Sequence, residues 1–281
     1  MAALPSPSPS TRPLPQWKRF RYPQSLYKYV ALIAAIGFVW WSLDILRIDV
    51  ERLPGLFKRI ADVVSTRYWP PDLARVQQPE FIDAVIDTFQ MSYVATVLGL
   101  LIAIPLAWFA SNNMTPSLRW LYPVSRLIIM TSRSVHEMIW TIIIVAIVGF
   151  GMLPGTLAMT LFCIGFSGKL LAEAIESIHN GPVEAVRATG AGHFKVFVFA
   201  VLPQVRVAWA GIAIFTWDVV FRASTVVGFF GAGGIGFHLR ESVQRVESRE
   251  VSAIILTVIA IVIAAELLSA WARARISKAV G

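Results

Sequence analysis

The sequence predicts an all-α membrane protein of about six transmembrane helices. Three observations carry that prediction. Of 281 residues, 56% are hydrophobic and only 15% charged, against roughly 25% charged in a soluble globular domain. The apolar residues gather into stretches near 20 residues, the length of helix that crosses a hydrocarbon core about 30 Å thick. The alternating in/out pattern of a membrane barrel is missing, so each span is read as a helix, which satisfies its backbone polar groups within itself.

Residues 1–28 are rich in Pro and Ser and then in Arg and Lys, and read as a disordered basic tail. The apolar run 29–46 is longer than a signal-peptide core and has no small-residue cleavage site, so it is read as a retained span. After it, Val50, Leu53, Leu56, Phe57, Ile60, Val63 and Val64 recur at helical spacing opposite Glu51, Arg52, Arg59 and Asp62. That pattern predicts a helix lying on the outer membrane surface. Residues 29–82 thus form one segment, and 83–281 a core with spans at 84–110, 135–151, 154–176, 205–227 and 251–272. Arg12, Lys18, Arg19, Arg21 and Lys28 precede the first span, and Arg273, Arg275 and Lys278 follow the last. The positive-inside rule then places both termini in the cytoplasm, together with loops 111–120 and 177–204.

The net charge of +8 does not point to nucleic acid, because the basic residues sit in short flanks beside apolar runs. The single cysteine, Cys163, lies inside an apolar run and excludes an intrachain disulfide. Several enzyme motifs fail on one residue each. His136-Glu137 begins a zinc-protease motif, but Trp140 stands where the second histidine must be. Gly168-Lys169 is followed by Leu170, and Cys163 occupies the place of the first P-loop glycine. Gly231, Gly233 and Gly236 satisfy the spacing of a dinucleotide fingerprint but lack the strand, the βαβ unit and the later acidic residue. With Gly234 they read instead as a turn at the outer end of a span. No metal site and no cofactor of this chain's own is expected.

Ionisable residues inside spans each cost about 3 kcal/mol or more at the bilayer centre unless paired or hydrated. Arg133 with Glu137, Lys169 with Glu173, and Asp218 with Arg222 stand at i,i+4 spacing. Each pair either neutralises itself within the bundle or lines a hydrated path, where Ser224 and Thr225 add hydroxyl donors beside Arg222. Trp40, Trp41, Trp69, Trp120, Trp140 and Trp271 read mainly as interfacial anchors.

The most informative stretch is Gly181 to Val205. Pro182 near a helix start, Glu184 in its first turn and Gly190 at its end describe one short capped helix near 182–191, of a kind that docks into a partner's groove. Glu184-Ala185-Val186, three residues, Gly190, nine residues, then Ala200-Val201-Leu202-Pro203 resembles the EAA loop of bacterial ABC importer permeases, with Val186 and Ala200 as mild departures. Residues 167–191 and 222–236 are similar to phosphonate-importer permeases, and Gly231 to Gly236 also resembles methionine-importer permeases.

The resemblance implies a type I importer permease fold. It implies an inner-membrane homodimer, two cytoplasmic ATPase subunits that bind ATP and magnesium, and an external solute-binding protein. It assigns Glu184, Ala185 and Arg187 to the ATPase contact and Gly190 to the turn. The expected function is uptake of phosphonate or a related phosphorus oxyanion. A permease for another solute, such as methionine, and a stand-alone secondary transporter are the competing readings.

Overall fold

The computed structural model describes residues 24–46 and 55–280, and every regular element among them is helical. The chain divides into two compact units, residues 1–61 and 62–281. The first contains α1 (Gln24–Ile45), which begins inside the stretch read as a tail, and most of α2 (Leu56–Val63). Trp40 and Trp41 are exposed on α1, and every residue of α2 is exposed, Leu56, Phe57 and Ile60 included. Val50, Glu51, Arg52 and Leu53 of the expected surface helix, and most of the basic tail, lie outside the described residues.

In the second unit a π-helical turn (Val64–Tyr68) and α3 (Leu73–Val76, capped by the Asp72 side chain) precede the long α4 (Pro79–Phe109). The core is built on the contact of α4 with α7 (Met152–Glu176), the most extensive helix pair. The sequence explains why. Ala95, Gly99, Ala103 and Ala107 repeat every fourth residue on α4, and Met159, Cys163, Ser167 and Leu171 do so on α7; the side chains of both stripes are buried. In lipid, helices associate through van der Waals packing of such small residues, because burying an apolar face gains little. The two helices are in close contact at Gly99, where a Cβ would penetrate both Sγ and Cβ of Cys163.

The third expected span, 135–151, contains one short helix of 12 residues and is preceded by a second helix that the sequence reading did not foresee. The structure forms α5 (Leu121–Ser134) and α6 (Glu137–Val148), bent by 91° at the break between them. His136 ends the first run by capping the second, its Nδ1 accepting from the Met138 N–H at 3.3 Å. Gly149, at φ +100°, ends α6. The other expected spans correspond to α4, α7, α10 (Leu202–Val227) and α12 (Ser248–Val280). Among the described residues, five helices are long and apolar enough to cross a membrane, or six if the bent pair is one span. Between α7 and α10 lie α8 (Asn180–Ala188), α9 (His193–Val196) and a π-helical turn (Phe197–Val201). A 3-10 turn (Gly228–Phe230) and α11 (Ile235–Gln244) connect α10 to α12.

Candidate functional site

The short helix foreseen near 182–191 is α8. It starts two residues earlier than expected, so Pro182 is its third residue and Glu184 lies beyond the first turn. Val183 is 2% exposed and shares an apolar cluster with Val196, Phe197, Ala200 and Val201. With that one side facing inward, Glu184, Ala185 and Arg187 are left exposed. Gly190 adopts φ +78°, a conformation that a β-carbon disfavours, and its N–H donates to the Arg187 carbonyl at 2.9 Å.

Sequence reasoning missed how α8 is held. Gln204, in the first turn of α10, pairs with both backbone groups of His179, the residue that caps α8. Its Oε1 accepts from the His179 N–H at 3.0 Å, and its Nε2 donates to the His179 carbonyl at 3.3 Å and to the Ala200 carbonyl at 2.7 Å. The side chain thus does what a strand partner's backbone would do. Behind it, Arg126 pairs with Glu176 at the end of α7 and donates from Nε to the Ala110 carbonyl at 2.7 Å. The Glu176 carboxylate also accepts from the Asn112 N–H at 3.0 Å, and Asn113 Nδ2 donates to the Ile175 carbonyl at 2.9 Å. The C-terminal ends of α4 and α7 and the first half of α5 are therefore tied together. No single one of these residues carries a motif that would have marked it in the sequence.

Of the three intramembrane pairs, two form. Arg222 Nη2 reaches Asp218 Oδ2 at 2.8 Å, and Lys169 Nζ reaches Glu173 Oε1 at 3.5 Å. The Arg133–Glu137 pair does not form among the described residues. Its i,i+4 spacing assumed a continuous helix, and the break at Val135–His136 separates the two; Glu137 lies instead 3.4 Å from His136 Nδ1. In the Asp218–Arg222 pair the carboxylate side chain is 5% exposed and the guanidinium 52%, so the cation is the group presented. The hydroxyls of Ser224 and Thr225 are not free donors. They donate to the Val220 and Arg222 carbonyls at 2.8 and 2.7 Å, and both side chains are buried.

The two formed pairs share a seam. Phe162 and Phe166 of α7 stack with centroids 5.7 Å apart, and Phe166 meets Phe215 of α10 at 5.7 Å. Phe162, Phe166, Lys169 and Glu173 follow each other at helical three- and four-residue steps, as do Phe215, Asp218 and Arg222. The Phe166–Phe215 contact joins the two faces, with Lys169 one step beyond Phe166 on α7 and Asp218 one step beyond Phe215 on α10.

Beyond Arg222 the chain turns at three of the four glycines singled out in the sequence, and the fourth, Gly236, lies inside α11. Gly231, Gly233 and Gly234 have φ of +102°, +80° and +66°. Thr88 of α4 secures the turn: its hydroxyl donates to the Ala84 carbonyl at 2.8 Å and accepts from the Ile235 N–H at 2.9 Å, where a β-carbon on Gly234 would collide. Gly236 lies directly against the backbone of Thr225, Gly228 and Phe229. At the following α11–α12 turn, the neighbouring Glu250 holds the Glu247 carboxyl above the usual carboxylate range.

Comparison with known proteins agrees with this architecture. A phosphite transport system permease protein, PtxC of Stutzerimonas stutzeri, is 44% identical over 193 residues, covering 69% of each chain. A phosphate-import permease protein, PhnE of Mycolicibacterium smegmatis, is 38% identical over 213 residues, 76% of this chain and 40% of that one. Among solved structures, the inward-facing MetNI methionine ABC transporter superposes with a TM-score of 0.60 at 19% identity, covering 70% of this chain and 96% of its own. The family model described as "Binding-protein-dependent transport system inner membrane component" matches residues 95–281, and the chain is a member of that family, a multi-pass transport permease subunit of the inner membrane.

Proposed function

We propose that this permease forms the path by which an ATP-driven importer takes up a phosphorus oxyanion, in the class of phosphite, phosphate and phosphonates. The observation that carries the coupling half of this reading is α8. It is a nine-residue helix with its polar positions turned outward and its origin pinned to α10 by Gln204. A cytoplasmic ATPase that moves α8 moves α10 with it. Glu184, Ala185 and Arg187 supply the contact and Gly190 the turn. ATP and magnesium belong to the ATPase subunits, and two copies of this chain enclose the path.

The substrate half rests on the similarity to phosphite and phosphate permeases, and it suits the seam. An anion entering past Arg222 meets a cation whose partner carboxylate is withdrawn behind it. It then crosses the Phe162–Phe166–Phe215 step and reaches Lys169, which Glu173 prevents from holding it too tightly. In this reading the two cations flank the aromatic step, an arrangement that favours passage over storage. In this reading the bent α5–α6 pair counts as one broken span, both termini lie in the cytoplasm, and an external solute-binding protein delivers the ligand.

The deciding experiment is ATP hydrolysis by the chain, co-expressed with the ATPase and binding protein encoded beside it and reconstituted in lipid. Phosphite, phosphate, a series of phosphonates and methionine are the ligands. Stimulation by one or more phosphorus oxyanions and not by methionine is expected. Stimulation by methionine alone reverses the substrate assignment, and an ATPase that neither co-purifies nor responds removes the importer reading.

A further inference from the structure

The turn between α11 and α12 holds the one non-glycine residue with positive φ among the described residues, Val246 at +61°. Its hydrogen bonds explain the geometry. The Val246 N–H donates to the Val243 carbonyl at 3.1 Å and the Glu247 N–H to the Ser242 carbonyl at 3.0 Å, the paired bonds that end a helix in a left-handed residue. Glycine is the ordinary occupant of that position. A β-branched residue is strained there, and Val246 gains nothing from the chain's own core in return, because it is 78% exposed. A strained, uncovered apolar side chain points to an interaction made outside the chain.

Its surroundings fit a protein partner. Val246 stands at the edge of a recess of about 680 Å³ whose other walls include Arg67, Asp72, Glu247, Arg249 and Glu250. The segments that carry these walls are tied together by hydrogen bonds and ion pairs. The Asp72 N–H donates to the Arg249 carbonyl at 3.1 Å, Ser252 Oγ to the Tyr68 carbonyl at 2.7 Å, and Arg75 spans Glu241 at 3.2 Å and Glu250 at 3.7 Å. An exposed apolar side chain beside charges of both signs suits a protein interface, where an apolar anchor is bordered by polar groups. Acidic groups among the walls disfavour an anionic lipid surface or a free oxyanion. The recess also lies beyond the far end of α10 from α8, the end opposite the proposed ATPase contact.

We propose that this recess, with Val246 as its anchor, is a docking point for the external solute-binding protein, through an apolar depression on that partner bordered by complementary charges. The proposal rests on the importer reading above. The test uses the reconstituted permease–ATPase complex and titrates liganded binding protein against ATP hydrolysis, comparing the parent with Val246→Gly and Val246→Leu. Glycine removes the peg and relieves the strain. It is expected to leave ATPase co-purification intact and the thermal midpoint at or above the parent's, while raising the half-saturating concentration of binding protein at least about fivefold. Leucine, which keeps an apolar peg, is expected to stay within about twofold of the parent. A glycine variant that saturates like the parent overturns the proposal. So does one that loses thermal stability along with stimulation, since Val246 would then serve the fold. A parent complex that binding protein does not stimulate refutes the importer reading itself, and the docking point falls with it.

Discussion

Three hydrogen bonds converge on the Gln204 carboxamide, and two of them end on the residue that opens α8. Gln204→Ala removes all three from a half-exposed site, a loss of about 1–2 kcal/mol that falls on the link between helices and not on the core. The variant is expected to insert and to co-purify with its ATPase, yet to show ligand-stimulated hydrolysis at least about fivefold lower; full stimulation would show that α8 and α10 move together without the clamp. Glu184→Lys probes the outward side of the same helix. It is expected to release the ATPase without disturbing insertion, and undiminished co-purification with normal uptake would remove Glu184 from the contact. At the seam, Arg222→Ala is expected to reduce uptake while leaving the assembly intact, and unchanged uptake would take Arg222 off the path. Because the single change strands a buried carboxylate, Asp218→Asn with Arg222→Ala is the control that separates lost attraction from local damage. Of these residues, Glu184 and Arg222 were legible in the sequence, one through a motif and the other through the cost of a charge in an apolar run. Gln204 was not, since a glutamine in the first turn of a helix is ordinary until its partner across 25 residues is known.

At the scale of elements, the α4–α7 contact depends on Gly99 having no side chain. Gly99→Ala forces a β-carbon into Cys163 and is expected to cost about 1–3 kcal/mol, read as a lower thermal midpoint in detergent. Pairing it with Cys163→Gly, which clears both colliding atoms, is expected to recover part of the loss; no recovery would locate the strain elsewhere. The long spans were legible because apolar runs of that length have few alternatives. The bent pair α5–α6 was not. Ser125, Arg126, Ser132 and Arg133 make α5 too polar to be noticed by hydropathy, yet Ser125 and Ser132 are buried, and Ser132 Oγ donates to the Leu161 carbonyl of α7. Tertiary hydrogen bonds hold Arg126 and Ser132 against neighbouring segments, and no local pattern announces that. The same break undid the Arg133–Glu137 pairing, which spacing alone had suggested.

At the scale of the whole molecule, the seam of α7 and α10 must meet a second copy if two chains enclose one path. Phe215 is 41% exposed on that seam. In a Cys163→Ala background, Phe215→Cys is expected to form an intermolecular disulfide under mild oxidation in membranes. Failure to cross-link there, with cross-linking at a lipid-facing position such as Leu267, would put the two-fold axis elsewhere. The 26 residues of α10 make a rod about 39 Å long, gripped by Gln204 at one end and leading at the other into the glycine turn held by Thr88. Such a rod is a lever arm. A swing of about 10° at the gripped end displaces the far end by about 7 Å, more than a full helical turn, so under the proposed function a modest stroke at α8 is geometrically sufficient to reshape the glycine turn.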